Sequence, residues 1–293
     1  MYLYELPLSS VTNSIAIVTG CSSGIGLATA KMLAQNDFTV YACSRDPSAA
    51  INLQNLITHE NLTNIHPTQL NVDNDESVKN TIKQIIENEE KLDVLVNNAG
   101  YGVIGKIEDL PVNEYSKQFQ TDLFGPLRMI RAVLPQMKKQ NSGRIINISS
   151  IAGQIGFPLT SPYICSKFAL EGLSESLRHE LYETNIITTI IEPGVVKTKF
   201  NQNMKFPQEY SSDENKAEAI KLKEQCEKIF DRTEISGIDV ANVVLESLTT
   251  PNPRIRYQVG IEADELLKKK KQLSDEDFEG IVHKFFQDIM NIP

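Results

Sequence analysis

The sequence predicts a doubly wound α/β fold, a parallel sheet with helices on both faces, in a single domain. Three observations predict it. Apolar, β-branched runs recur along the chain and are nearly continuous rather than alternating in polarity, as strands buried on both faces are. Longer stretches of helical periodicity separate them. The first run passes directly into a glycine-rich turn and then a helical pattern, the sharp connection that only a permissive backbone makes.

The first run is Ile15–Thr19 (IAIVT), followed by 38–43 (FTVYAC), 65–70, 92–96 (LDVLV), 144–148 (RIINI) and 186–191 (IITTII). Helices are expected between them, among them 77–89, 113–139 and 162–183. After Thr198 the character changes: 200–210 places Phe and Met among polar residues, and 211–230 reads as a charged helix. A helix over 240–248 and a strand over 254–259 (RIRYQV) return the chain to the sheet. The tail, 276–290, carries Ile281, Val282, Phe285, Phe286, Ile289 and Met290 at helical spacing. Such a stripe is expected to pack on the domain or on a partner subunit rather than on a membrane. The lysine run 268–271 reads as a solvated helix face. There is no internal repeat and no low-complexity linker, so 1–293 is taken as one domain.

Composition narrows the function. The 293 residues are 41% hydrophobic and 23% charged, a mix that supports a real core. The net charge of -9 argues against a nucleic-acid partner, which calls for a basic face. No Lys or Arg precedes Lys31, and 1–14 lacks the basic start and apolar stretch of a secretory signal. No apolar run approaches the roughly 20 residues that span a bilayer. Cys21, Cys43, Cys165 and Cys226 are scattered, with no CxxC pair. They suggest neither a metal site nor a disulfide framework, and a cytoplasmic location is expected.

The glycine-rich turn reads Thr19-Gly20-Cys21-Ser22-Ser23-Gly24-Ile25-Gly26. Its backbone can approach a ligand closely, and the helix N-terminus beyond it offers unpaired N–H groups and partial positive charge to a pyrophosphate. A plain tight turn is the alternative, and the position after the first buried strand favours the ligand. Farther on, Tyr163-Ile164-Cys165-Ser166-Lys167 places Tyr and Lys four apart on a helix, sharing a face. A nearby ammonium favours tyrosinate, which would lower the phenol from near 10 toward working pH, where a general acid–base group is most useful.

The glycine spacing is TGxxxGIG rather than GxGxxG, and in this the sequence closely resembles the short-chain dehydrogenase/reductase family. The resemblance implies a Rossmann-type fold with a substrate-binding helical insertion, and an oxidoreductase using a nicotinamide dinucleotide. It extends over several further positions. Ser150 precedes Tyr163 at the family's Ser-to-Tyr spacing, Asn97-Asn98-Ala99-Gly100 matches NNAG, and Pro193-Gly194-Val195-Val196-Lys197-Thr198 matches PGxxxT. A weaker likeness continues to 256–260, and 167–177 (KFALEGLSESL) resembles the branch containing 17β-hydroxysteroid dehydrogenases and retinol-dehydrogenase-like enzymes. By this resemblance 10–198 is the cofactor-binding and catalytic core, 199–235 the substrate-lid helices, 236–262 the return to the sheet and 263–293 a helical tail.

The resemblance also implies roles. Ser150 would hydrogen-bond the substrate oxygen, Tyr163 exchange its proton, and Lys167 hold the nicotinamide ribose. Gly20, Ser22, Ser23, Ile25, Asn71, Val72, Asn98, Ala99, Gly100, Pro193, Gly194, Val196 and Thr198 would line the cofactor cleft with Tyr163 and Lys167. At the end of the second strand, Ser44 stands where NAD-dependent members carry an acid. Arg45 follows, and its guanidinium suits a 2′-phosphate, so NADP(H) is expected over NAD(H).

Two positions depart from the family. Asp122 stands where the fourth catalytic residue, an Asn at a helix irregularity, is usual. It is isosteric but adds charge near Lys167. Asn71 replaces an Asp common beside the adenine, and its amide can still hydrogen-bond. The expected reaction moves a hydride between the nicotinamide and a carbonyl or alcohol carbon, in a pocket drawn from 101–104, 151–159 and 200–206. The expected lining is Tyr101, Val103, Ile155, Phe157, Phe200, Met204 and Phe206. A catalytically weak NADP(H) sensor is the competing reading, carried by Asp122 alone. An epimerase or dehydratase is disfavoured by the glycine spacing. Relatives pair through the helices near 113–139 and 162–183, which implies a homodimer or homotetramer.

Overall fold

The computed structural model describes residues 13–291, except for the side chains at 230 and 231. The expectation for 1–14 therefore falls almost wholly outside the described residues. The first half alternates β1 (Ile15–Thr19), α1 (Gly24–Gln35), β2 (Thr39–Ser44), α2 (Ile51–Glu60), β3 (Ile65–Gln69), α3 (Asp75–Glu89) and β4 (Val94–Asn97). The second half runs α4 (Val112–Phe119), α5 (Gly125–Gln140), β5 (Gly143–Ile148), α6 (Ser161–Glu180) and β6 (Ile186–Pro193). It continues with α7 (Asp213–Arg232), α8 (Gly237–Thr249), β7 (Arg256–Val259), α9 (Ile261–Gln272) and α10 (Asp275–Met290).

All strand pairs are parallel, in the order β3-β2-β1-β4-β5-β6-β7. Strand pleating explains the continuous apolar runs. In β1, Ala16 and Val18 join Leu33, Leu53 and Val244 from α1, α2 and α8. Ile15 and Ile17 point the other way, onto Ile82, Met129 and Leu177 from α3, α5 and α6. This is the doubly wound Rossmann-type architecture. The strand order reverses between β1 and β4, and the crevice at that switch point is where such sheets take ligands.

Two elements differ from expectation, and a third, the tail, follows it. The run 65–70 reads as a strand buried on both faces, yet β3 is the sheet edge, with His66, Pro67 and Gln69 exposed. An edge tolerates Pro67 because no neighbour needs its missing N–H. The helix expected over 113–139 is broken by a π-helical turn, Gln120–Phe124, which holds Asp122. Such bulges gather at functional sites. The tail stripe packs on its own domain: α10 lies against α7 and α9, and its buried anchor is Phe278, beside Leu267 and Ile155. The stripe residues themselves stay half-exposed. The lysine run lies on α9, where Lys268 pairs with Asp264 and Lys270 covers the Phe278 ring. Among the described residues no helix is long and apolar enough to cross a membrane.

Candidate active site

The site is built at the carboxyl ends of β1, β4, β5 and β6. Thr19 closes β1, and its Oγ1 accepts the N–H groups of Asn98 (2.9 Å) and Ala99 (3.0 Å). The Asn98 amide donates back to the carbonyls of Thr19 (2.8 Å) and Gly20 (3.3 Å). The glycine turn and the NNAG segment are thus laced into one wall. The lacing leaves no room for side chains: a Cβ at Gly20 would stand 2.9 Å from the Ala99 Cα, and one at Gly26 would stand 2.4 Å from the Gly20 carbonyl oxygen. Gly20 also has φ +74, a conformation costly for other residues.

This wall fits a dinucleotide. Ser23 precedes α1 without making a side-chain cap, and no acidic residue lies in the first turn. The N-terminal N–H groups and the helix dipole are therefore left for an anion. The Ser44 hydroxyl is buried without a hydrogen-bond partner. Arg45 is exposed beside it and makes no ion pair among the described residues. Every residue expected to bind the cofactor, from Gly20 to Thr198, lines one continuous cavity of about 1940 Å³.

Ser150, Tyr163 and Lys167 line the same cavity. Ser150 follows β5 by two residues and opens a short 3₁₀ turn, where its Oγ accepts the Ala152 N–H at 3.2 Å. The same hydroxyl donates to the Pro193 carbonyl at 3.3 Å, which ties β5 to the PGxxxT segment. Tyr163 lies in the first turn of α6, its ring 5.6 Å from the Phe200 ring. The Lys167 ammonium is 5.5 Å from the Tyr163 ring centre and donates to the Ile148 carbonyl at 3.0 Å.

The phenol differs from expectation. Its pKa lies above the ordinary 10, because burial outweighs the lowering by Lys167 and by the hydrogen bond with Ser150, while Asp122 pushes it further up. Asp122 does not line the cavity. Its side chain is 0% exposed, behind Gly100, with Oδ1 accepting the Tyr101 N–H (3.3 Å) and Oδ2 3.6 Å from Lys167 Nζ. Burial raises this carboxyl to about 6, against the opposing pull of Lys167.

A second polar group lies beneath the site and was not expected from the sequence. Glu171 follows Lys167 by one turn on the same face of α6. Arg256 on β7 donates to Glu171 at 2.9 Å and lies 3.4 Å from the fully buried Glu192 on β6. Gln154 and Gln258 also donate to Glu192, the latter at 2.5 Å. Burial pushes Glu171 up to about 7, and Glu192 pushes it further in the same direction.

Of the expected pocket residues, Tyr101, Val103, Phe157, Phe200 and Met204 line the cavity. Ile155 and Phe206 do not: Ile155 is fully buried under α10, and the Phe206 ring faces Lys223. The sequence reading missed lining residues from two helices, Leu222, Cys226 and Ile229 on α7 and Phe285, Phe286 and Ile289 on α10. Their signal was the helical spacing of apolar residues, which core packing produces equally well.

Residues 14–209 match the family model described as short chain dehydrogenase. The chain belongs to the short-chain dehydrogenase/reductase family. It is an oxidoreductase of that fold, and a carbonyl–alcohol pair is the chemistry that membership supports. It is 35% identical over 260 residues to a 3-ketodihydrosphingosine reductase of Bacteroides thetaiotaomicron, covering 88% of this chain and 91% of that one. It is 40% identical over 187 residues to retinol dehydrogenase 8 of Homo sapiens, covering 63% of this chain and 59% of that one. A solved serine dehydrogenase complexed with NADP+ superposes with TM-score 0.71 at 28% identity, covering 84% of this chain and 94% of the other. Among the described residues no group of His, Cys, Asp and Glu is placed to hold a metal.

Proposed function

We propose that the protein is an NADP(H)-dependent carbonyl reductase and alcohol dehydrogenase acting on an apolar substrate. The observation that carries this reading is the convergence of Ser150, Tyr163 and Lys167 on the same cavity that the glycine turn lines. The bound nicotinamide supplies the hydride for reduction and accepts it in oxidation. The chain supplies the rest. Backbone N–H groups at the start of α1 hold the pyrophosphate, and Arg45 beside Ser44 holds the 2′-phosphate. Asn71 and Val72 flank the adenine, and Pro193, Gly194, Val196 and Thr198 hold the nicotinamide end. Lys167 orients the adjoining ribose.

Ser150 and Tyr163 aim hydroxyls at the carbonyl oxygen, where negative charge develops in the transition state. Tyr163 gives its proton to that oxygen, and reduction ends with an alcohol and a phenolate that recovers its proton from solvent. A phenol above 10 is protonated at neutral pH, the state that reduction requires. Support for NADP(H) comes from Arg45 and from the NADP+-bound serine dehydrogenase. The similarity to retinol dehydrogenase 8 supports the retinol-dehydrogenase-like branch. We also place the protein in the cytoplasm as a homodimer or homotetramer through α4–α5 and α6, where Phe124 and Phe168 are exposed apolar side chains.

The competing sensor reading rests on the Asp122 carboxylate beside Lys167. One experiment separates the two. NADPH and NADH consumption is followed over a mixed panel of ketones and aldehydes, beside Tyr163→Phe. Turnover that prefers NADPH and is lost in the variant supports the enzyme. Tight NADPH binding with no turnover of any member overturns it in favour of the sensor.

A further inference from the structure

The cavity is too large for the cofactor alone. Small-molecule sites span roughly 300–1,000 Å³, and this one measures about 1940 Å³. A dinucleotide against the glycine wall leaves a second compartment of several hundred Å³. Its walls are two helices outside the Rossmann core. Leu222, Cys226 and Ile229 of α7 line it, and they recur at the spacing of one helix face. At 1.5 Å per residue that face extends roughly 10 Å. Phe285, Phe286 and Ile289 line it from α10, which packs against α7.

Apart from Leu222, which is buried, these side chains are not consumed by packing. Cys226, Ile229, Phe285, Phe286 and Ile289 are all half-buried or nearly so, whereas the anchor that fixes α10, Phe278, is fully buried. The compartment continues to the reacting end through Phe157, whose ring lies 6.1 Å from that of Phe285, and Phe200, which touches Tyr163. The charged lining residues on these two helices, Arg232 and Asp288, are exposed, so the interior face is apolar.

We propose that α7 and α10 form an alkyl-chain slot, and that the substrate is a ketone or alcohol bearing an extended alkyl chain. Its oxygen lies at Ser150 and Tyr163, and its chain runs past Phe157 between the two helices. This rests on the reading of Ser150 and Tyr163 as the reacting end. Phe285 and Ile229 set the chain length accepted, and the C-terminal helix thereby determines specificity.

The test is equilibrium binding, by calorimetry, of a homologous series of methyl ketones to the full chain loaded with NADP+, which cannot reduce them, with NADPH consumption followed in a separate assay. Burying each methylene tightens binding about threefold to fourfold, so Kd falls at each step until the slot is full. Phe285→Ala, which leaves the Phe278 anchor in place, flattens that slope for the longer ketones. Ile229→Phe shortens the longest chain that still gains affinity. Lys284→Ala, on the exposed face of α10, keeps the wild-type slope. A Kd independent of chain length, or an unaltered slope in both Phe285→Ala and Ile229→Phe, overturns the slot. Length-dependent binding without any NADPH consumption supports the slot while overturning the proposed reaction. Tyr163-dependent turnover of short ketones with no length dependence overturns the slot alone.

Discussion

Asp122→Asn isolates the charge that this chain adds behind Lys167. The carboxyl has an ordinary value of 3.8 and is held near 6 in the fold by burial. The folded state therefore binds this proton more tightly than the unfolded chain does. Its contribution is most favourable below about pH 4 and is lost as pH rises from 4 to 6, after which the penalty is constant. At about 1.36 kcal/mol for each pH unit between the two values, that penalty is about 3 kcal/mol. A neutral amide in the same place carries none of it. The pull of the Lys167 counter-charge is already contained in the value near 6, so it adds no separate offset to the curve. Urea unfolding of both proteins at pH 4.5 and pH 8 measures the difference. The variant gains about 2 kcal/mol relative to wild type between those two conditions, because about a third of the penalty is already present at pH 4.5. Because Asp122 also pushes the Tyr163 phenol up, the alkaline limb of the variant's rate profile moves to lower pH. A stability difference equal at both pH values would refute the placement of an ionising carboxyl here.

Other substitutions probe the remaining parts. Arg45→Ala is expected to weaken NADPH about 10- to 100-fold, the loss of hydrogen bonds to a charged group, while NADH changes little; fluorescence titration of both cofactors checks this. Gly20→Ala forces a Cβ to 2.9 Å from the Ala99 backbone at a positive φ. It should abolish dinucleotide binding in calorimetry while circular dichroism keeps the α/β signature. Arg256→Met leaves Glu171 and Glu192 buried without their cation and should cost about 3 kcal/mol at pH 8. The loss is smaller at pH 5.5, because a Glu171 near 7 is already protonated there; denaturant titrations at the two pH values read the difference.

Much of the sheet was legible because both faces of β1, β4 and β5 are covered, which forces unbroken apolar runs. β3 misled for the same reason: its apolar ends suggest two-sided burial, and only the pairing order reveals an edge. The tight wall at the end of β1 was legible from glycine spacing because its backbone geometry admits no side chain, as at Gly20 and Gly26. The π-turn at Asp122 leaves no periodicity signal, since one irregular turn barely rotates an apolar face. The Glu171–Glu192–Arg256 group joins three elements far apart in the chain, and no local pattern announces it. The slot residues failed for another reason: an apolar stripe facing a cavity has the same spacing as one facing a core, and only half-burial tells them apart.

The most direct test of the central claim follows the hydrogen itself. NADPH carrying deuterium at the transferred position is incubated with a ketone that the protein consumes, and the product alcohol is weighed by mass spectrometry for wild type and Tyr163→Phe. The account predicts deuterium on the carbinol carbon in wild type and almost no product from the variant. Product alcohol without deuterium, or labelled product formed equally fast without the Tyr163 hydroxyl, would contradict it.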